Sequence, residues 1–132
     1  MILVDTNVLL DIFTADPQWA PWSKRELLRA AEEGLAINPI IYAELCPAFQ
    51  AEEQLTTALS GWPLVRLPLP YESGWPASQA FATYRLRGGI RTSPLPDFYI
   101  GAHAQVSGMV VLTRDVTRYR TYFPDVALLC PT

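Results

Sequence analysis

The sequence predicts an α/β fold in which a short parallel central sheet lies between two layers of helices, a three-layer α/β/α arrangement. Two observations lead to this prediction. Short apolar runs alternate with segments of helical periodicity along the 132 residues, and this alternation is typical of parallel strands connected through helices. The sequence also contains no internal repeat, linker or low-complexity tract, so a single domain over residues 1–132 is expected.

Apolar runs predict the strands of this sheet. Each run is short, and Gly, Pro, Asp or Asn lies at or next to one of its ends. These residue types interrupt regular structure, so they mark where a strand stops. The predicted strands cover residues 1–5, 35–37, 63–68, 109–112 and 126–129.

Helices are predicted between these runs. Asn38 followed by Pro39 is typical of an N-cap with proline at the first helical position, and Pro47 limits that helix. Glycines and prolines predict a loop over residues 88–96. The predicted helices cover residues 6–13, 19–33, 39–46, 51–59, 76–86 and 96–107, with a turn or short helix at 115–122.

Composition excludes several classes of protein. A hydrophobic content of 50% argues against disorder. No apolar run approaches the ~20 residues of a membrane helix, and the sequence does not open with the basic start and long apolar segment of a signal peptide. We therefore expect a cytoplasmic protein that does not enter a membrane, with Cys46 and Cys130 as buried free thiols.

Arginines are concentrated in one part of the chain, although the net charge is -3. Between residues 85 and 120, the acids are Asp97 and Asp115 alone. A guanidinium group can bind a phosphate through two hydrogen bonds, so the segment predicts a phosphate-binding surface, with an ordinary solvated face as the alternative. The arginines of this segment are Arg85, Arg87, Arg91, Arg114, Arg118 and Arg120.

Four carboxylates occupy positions where a polar residue needs an explanation. Asp5 and Asp115 follow apolar runs, Glu44 interrupts an apolar stretch, and Asp97 opens an apolar helix. Because the carboxyl ends of parallel strands meet at one edge of a sheet, we expect these acids to lie close together. Clustered carboxylates repel one another unless they are protonated or neutralised. A hard divalent cation with oxygen ligands is the simplest resolution.

Two magnesium-dependent chemistries start from an aspartate in the position of Asp5. Phosphoaspartyl transfer needs either a second aspartate two residues later or a lysine beyond a later strand. Asn7 occupies the first position, and no lysine follows Lys24. Metal-assisted phosphodiester hydrolysis needs several carboxylates but neither of those residues, so the sequence favours it.

Four short motifs resemble those of PIN-domain ribonucleases, in the same order. They are residues 5–11 (DTNVLLD), 38–45 (NPIIYAEL), 95–104 (LPDFYIGAHA) and 112–115 (LTRD), and residues 119–124 (YRTYFP) continue like the tail of that family. The resemblance extends from Met1 to about Val126. A lone domain of this length is most similar to VapC, the toxin of toxin–antitoxin pairs.

The resemblance implies a PIN-like fold and an endoribonuclease that depends on Mg²⁺ or Mn²⁺. It implies an RNA substrate (tRNA, rRNA or mRNA), a cognate VapB-type antitoxin and a homodimer. Carried over by motif, the catalytic residues are Asp5, Glu44, Asp97 and Asp115. Asp5, Asp97 and Asp115 would hold the metal, and Glu44 would help to bind a second ion or orient the attacking water. The polar residues that would support them are Thr6, Asn7 and Thr113, and the arginines expected to contact RNA are Arg85, Arg87, Arg91 and Arg114.

Other interpretations remain open at this point. A catalytically silent PIN-fold module that binds RNA or protein is the alternative function. Asp5 could simply cap the helix that follows it, and Asp11 is read as a solvated helix residue. His103 is interpreted as a structural or surface residue, because it lies on a different helix face from Asp97. The tryptophans are expected mostly to pack in the core, with Trp19 or Trp22 as a possible partner contact.

Overall fold

The computed structural model describes residues 1–92 and 95–132. These residues form five strands and seven α-helices, with short 3-10 turns between some of them. The strands are β1 (Ile2–Val4), β2 (Leu35–Ile37), β3 (Leu64–Arg66), β4 (Val110–Leu112) and β5 (Leu128–Leu129). The helices are α1 (Thr6–Phe13), α2 (Ala20–Ala30), α3 (Pro39–Leu45), α4 (Glu52–Ser60), α5 (Gly74–Leu86), α6 (Pro96–Ser107) and α7 (Thr117–Tyr122).

All five strands are parallel and follow the order β3-β2-β1-β4-β5. The central strand β1 pairs with β2 on one side and with β4 on the other. The chain therefore builds the sheet outward from β1 to β3 and then returns to the opposite side of β1. This reversal is a topological switch point, the place where open α/β sheets bind their ligands.

Helices cover both faces of the sheet. Successive residues of a strand point to opposite faces, yet every residue of β1 and of β2 is buried. The predicted three-layer α/β/α arrangement and its parallel sheet are therefore confirmed.

Polar N-cap residues precede two of the helices that carry the candidate site. Asp5 is the N-cap of α1 and accepts a hydrogen bond from Thr6 N at 2.7 Å. Asn38 is the N-cap of α3, and its Oδ1 accepts from Ile41 N at 2.9 Å. The Asn38 amide nitrogen consequently faces His103 Nδ1 at 3.0 Å, and the ring accepts there as a neutral imidazole. Burial lowers the pKa of His103, in agreement with this role and with the structural interpretation of this residue.

Gly101 allows α6 and α7 to pack closely. A Cβ atom at this position would lie 2.3 Å from Cδ2 of Phe123, which is buried just after α7. The contact fixes α7 against the helix that carries Asp97. Gly108 then ends α6 with a φ of 64°, a left-handed conformation that glycine adopts without strain.

The element boundaries differ little from the predicted ones. α5 begins at Gly74, two residues before the predicted start, and the predicted turn or short helix after Asp115 is the helix α7. Of the predicted loop over residues 88–96, residues 93 and 94 lie outside the described part of the chain. None of the helices in the described ranges is long and apolar enough to cross a membrane.

The expectation that both cysteines are buried was wrong. Both cysteines are free, as expected, but Cys46 is exposed and Cys130 is only partly buried. Cys46 follows α3 on its outer side, where its thiol donates to Tyr42 O. Trp75 is 75% exposed and does not pack in the core, whereas Trp19, Trp22 and Trp62 are half-buried.

Candidate active site

Residues from four distant parts of the sequence line one cavity at the carboxyl edge of the sheet. Its volume is about 180 Å³. Asp5 follows β1, Asp115 follows β4, Glu44 lies on α3 and Asp97 lies in the first turn of α6. The cavity is therefore at the switch point of the sheet. Its lining residues are Asp5, Thr6, Asn7, Leu10, Glu44, Asp97 and Asp115.

Asp5 is the most buried acid of this cavity, and Thr113 and Tyr119 donate hydrogen bonds to it; we call these three residues the floor. Asp5 is 4% exposed, and its Oδ2 accepts hydrogen bonds from Thr113 Oγ1 at 2.9 Å and from Tyr119 Oη at 2.8 Å. Burial raises the pKa of Asp5, whereas the hydrogen bonds from Tyr119, Thr113 and the Thr6 backbone oppose that rise. Burial also raises the pKa of Tyr119 well above its ordinary value, so the phenol stays protonated and donates. The floor is a buried carboxylate surrounded by donors.

Asn7 and Thr113 link the floor to the segment that carries Asp115. Thr113 Oγ1 accepts hydrogen bonds from Asn7 Nδ2 and from Asp115 N, each at 3.1 Å, while its proton points to Asp5. Asn7 Oδ1 accepts from Arg114 N at 3.3 Å. The side chains of Asn7 and Thr113 thus hold the loop after β4 in place.

Glu44, Asp97 and Asp115 line the cavity on its more exposed side, and Arg118 lies against Asp97; we call these four residues the mouth. Glu44 is partly buried, and its Oε1 accepts from Thr6 Oγ1 at 2.7 Å. Burial raises the pKa of Glu44, the hydrogen bond from Thr6 opposes the rise, and the charge of Asp97 adds to it. Asp115 is exposed.

Asp97 has a strongly raised pKa. Burial and then the charge of Asp5 raise the pKa of Asp97 from 3.8 to about 6, with a further rise from Asp115. Arg118 opposes this shift, since its Nε lies 3.7 Å from Asp97 Oδ2. Burial therefore makes the largest contribution to the raised pKa of Asp97, and the like charges of Asp5 and Asp115 add to it.

Asp11 is not the solvated residue that the sequence predicted. It is 3% exposed, and its carboxylate accepts from Arg114 Nε at 2.8 Å and Nη2 at 3.1 Å. Ser23 on α2 donates to the same carboxylate at 2.9 Å. The guanidinium also lies 5.4 Å from the ring centroid of Trp19. The expectation for Asp11 was wrong because a partner far along the sequence supplies the opposite charge.

The arginines expected to contact RNA fall into two groups. Arg114 is held by Asp11, next to the cavity residue Asp115. Arg85, Arg87 and Arg91 are exposed near the end of α5. Arg85 Nη1 donates to the backbone carbonyl of Arg91 at 2.7 Å, and the guanidinium of Arg87 lies 5.7 Å from the ring centroid of Tyr122.

Two residues of the cavity region were missed as site residues. Tyr119 donates to Asp5, and Arg118 contacts Asp97. Both belong to α7, for which the sequence predicted only a turn or short helix. The sequence carried signals for both: Arg118 belongs to the arginine-rich segment, and Tyr119 opens the stretch 119–124 that resembles the tail of the PIN family.

The donor set fits a hard divalent cation by its chemistry. The acidic side chains of the cavity offer oxygen ligands only, and Thr6 and Asn7 lie beside them. Within the described ranges, no three His, Cys, Asp or Glu side chains already stand in an arrangement that holds a metal ion. The acids share a cavity without forming a closed ligand shell.

A PIN domain family model matches residues 2–124. The chain therefore belongs to the PIN-domain family, whose members are generally nucleases that use divalent metal ions. A search of curated protein sequences finds no significant match.

Solved structures with a similar fold come from toxin–antitoxin complexes. VapBC2 from Rickettsia felis, bound to a DNA fragment from its promoter, matches at 19% identity with a TM-score of 0.75 and covers 100% of both chains. DNA-bound VapBC from Salmonella typhimurium matches at 20% identity with a TM-score of 0.73, covering 98% of this chain and 96% of the other. A toxin–antitoxin complex from Klebsiella pneumoniae matches at 24% identity with a TM-score of 0.60, covering 96% of each chain. At these identities the likeness shows a shared fold.

Proposed function

We propose that this protein is an endoribonuclease dependent on Mg²⁺ or Mn²⁺, and the toxin of a VapBC-type toxin–antitoxin pair. One observation carries the nuclease proposal. Asp5, Glu44, Asp97 and Asp115 line a single cavity at the switch point of the sheet. A nuclease of this kind needs neither a nucleophilic side chain nor a lysine, and an acidic cavity of oxygen ligands meets its requirements.

Each carboxylate has a distinct role in this proposal. Asp5, Asp97 and Asp115 would hold the metal, which supplies Lewis acidity and a water of lowered pKa. Thr113 and Tyr119 orient Asp5 through their hydroxyl groups. Thr6 fixes Glu44 so that its carboxylate faces the cavity, where it orients the attacking water or helps to bind a second ion.

RNA would approach the mouth of the cavity from the side of the exposed arginines. Arg85, Arg87 and Arg91 supply positive charge without being buried. Their charge would bind the phosphate backbone on either side of the cleaved bond, while the carboxylates remain reserved for the metal. Arg114 would contribute less to RNA binding, because its guanidinium is already paired with Asp11.

Cleavage of total RNA tests the nuclease proposal. Wild type should cut in Mg²⁺ and not in EDTA, and Asp97→Asn should abolish cutting. Asp97→Asn is the best variant, because it removes a carboxylate from the mouth and leaves the hydrogen bonds of the floor intact. Glu53→Gln on the exposed face of α4 is the matched control and should cut like wild type.

Equal cutting by wild type and Asp97→Asn would assign the activity to contamination or to another site. Binding of RNA without any cutting in Mg²⁺ or Mn²⁺ would favour the catalytically silent module instead.

The antitoxin proposal rests on the toxin–antitoxin complexes among the similar structures. Expression of the protein alone should arrest growth, and co-expression of a small neighbouring gene should restore it. Asp97→Asn should not arrest growth, which ties the arrest to the cavity. Harmless expression of an enzyme that cuts RNA in vitro would contradict the toxin role. Light scattering of the purified protein tests the homodimer that the resemblance implies.

A further inference from the structure

Arg118 contacts one carboxylate and two aromatic rings at the mouth of the cavity. Its Nε lies 3.7 Å from Asp97 Oδ2, and its side chain remains 40% exposed. The guanidinium also lies 5.6 Å from the ring centroid of Tyr84 and 5.9 Å from that of Phe98. The contact with Asp97 is long for a hydrogen-bonded ion pair, so the arginine is held as much by the two rings as by the carboxylate.

The two aromatic rings determine where Arg118 would stay if another cation bound to Asp97. An arginine held by one carboxylate alone would swing into solvent once that carboxylate was neutralised. Arg118 would keep its cation–π contacts with Tyr84 and Phe98, because those rings do not depend on the charge of Asp97. The guanidinium would then remain beside the cavity with its donors unpaired, facing the place where the carboxylates gather.

The position of Arg118 is also fixed by the packing of α7. The residue after Arg118 is Tyr119, whose hydroxyl is fixed on Asp5. Phe123 packs against Gly101 just beyond the helix. α7 is thus anchored at the floor and against α6, so the position of Arg118 follows from two buried contacts and not from a mobile loop.

We propose that Arg118 is a phosphate-binding residue of the active site, occupied by Asp97 until a divalent cation takes that carboxylate and then free to bind an RNA phosphodiester. This inference rests on the proposed nuclease function and names the group that would contact the phosphate. It also makes Arg118 a competitor of the metal in the absence of RNA.

A double-mutant cycle in EDTA tests the exchange without requiring cleavage. The probe is a short single-stranded RNA of mixed sequence. Asp97→Asn should tighten RNA binding by about fivefold, since it releases Arg118 and removes one negative charge. In the Arg118→Met background, which keeps the packing of the side-chain stem, the same substitution should tighten binding by only about twofold. Equal gains in both backgrounds would overturn the proposal.

Two further measurements identify what Arg118 contacts. Asp97→Asn with Arg118 intact should show a salt dependence of RNA binding steeper by about 0.7 in log K against log salt than the double variant, as expected for one phosphate contact. Arg118→Met should also bind Mn²⁺ two- to fivefold more tightly than wild type, because the competing cation is gone. Unchanged Mn²⁺ affinity would contradict the competition, and an unchanged salt slope would contradict the phosphate contact.

Arg120→Met is the matched control, because Arg120 is exposed on the same helix and its Nη2 lies 3.6 Å from Cys130 Sγ. It should show no coupling to Asp97→Asn. Arg118→Lys, which keeps the charge, should retain most of the RNA affinity. Failure of the nuclease proposal is seen separately, as equal cleavage of total RNA by wild type and Asp97→Asn, whereas the cycle reports on Arg118 alone.

Discussion

The floor and the mouth of the cavity hold carboxylates under opposite conditions. At the floor, the neighbours of Asp5 are hydroxyl and backbone donors, and the carboxylate is almost fully buried. At the mouth, the side chain of Asp97 is 36% exposed, and its neighbours include the carboxylates of Asp5 and Asp115. The donors of the floor offset part of the desolvation of Asp5, whose pKa is still raised, whereas nearby carboxylates add to the desolvation of Asp97. The same residue type thus meets compensating donors at one end of the site and like charges at the other.

Removing the carboxylate of the floor should have the largest effect on stability. Asp5→Ala removes the cap of α1 and leaves the buried hydroxyl of Tyr119 without its acceptor, while Thr113 can still donate to Asp115 O. We expect a loss of about 3 kcal/mol in the free energy of unfolding, after allowance for the relief of a desolvated charge. Urea denaturation in EDTA measures it, with Asp125→Ala on the exposed surface as the control. A loss below about 0.5 kcal/mol would mean that the floor is not a stabilising network.

Removing one donor from the floor should have an intermediate effect. Tyr119→Phe keeps the buried ring and deletes the hydroxyl that donates to Asp5. The expected cost is about 1.5 kcal/mol, the usual contribution of a hydrogen bond to a charged group. Tyr122→Phe, half-buried on the same helix, should cost less than about 0.5 kcal/mol in the same denaturation experiment. If Tyr119→Phe and Tyr122→Phe lower the free energy of unfolding by similar amounts, the hydrogen bond from Tyr119 to Asp5 does not stabilise the fold.

Removing a carboxylate from the mouth should have a smaller effect of opposite sign. The pKa of Asp97 is raised to about 6, so its charged form opposes folding at neutral pH. Because the side chain is partly exposed, solvent screening reduces the gain from Asp97→Asn in EDTA to about 1 kcal/mol. Thermal melts at pH 7 measure it. A variant that melts below wild type would make Asp97 a structural residue of the α6 N-terminus.

The raised pKa of Asp97 also predicts how the melting temperature depends on pH. Between pH 3.8 and about 6 the folded state binds more protons at Asp97 than the unfolded state does. The contribution of this group to stability therefore rises as the pH falls from 7 through 6, and is complete below 3.8. In EDTA, mild acidification from pH 7 should raise the melting temperature of wild type relative to that of Asp97→Asn. Mg²⁺ should raise the melting temperature of wild type more than that of Asp97→Asn.

The exposed arginines beyond the mouth should affect stability least. Replacing Arg85, Arg87 and Arg91 together by Ala should change the free energy of unfolding by less than about 1 kcal/mol, because the three side chains are exposed. The same variant should bind RNA more weakly and with a flatter salt dependence. An unchanged salt slope would place the RNA on another surface.

The strands, helices and clustering of acids could be predicted from the sequence because each depends on local pattern and on the geometry of parallel sheets. Asp5 follows β1 and Asp115 follows β4, so the two meet once those strands pair. The partners of Asp11 and Asp5 could not be predicted in the same way. Arg114 lies 103 residues from Asp11, and Tyr119 lies 114 residues from Asp5. Which face of a short helix such as α7 turns inward depends on packing that no periodicity in six residues can specify.

The pairing of β1 with β4 also bears on when the protein acquires its site during synthesis. Thr113 and Asp5 are 108 residues apart in sequence, and the hydroxyl of Tyr119 reaches back even further. Contacts of such long range form slowly, since the chain must close a large loop before any contact compensates for the lost entropy. A ribosome that has made the first three strands has made an incomplete sheet, with one side of β1 still unpaired. The hydrogen bond from Tyr119 to Asp5 can therefore form only after α7 has left the exit tunnel.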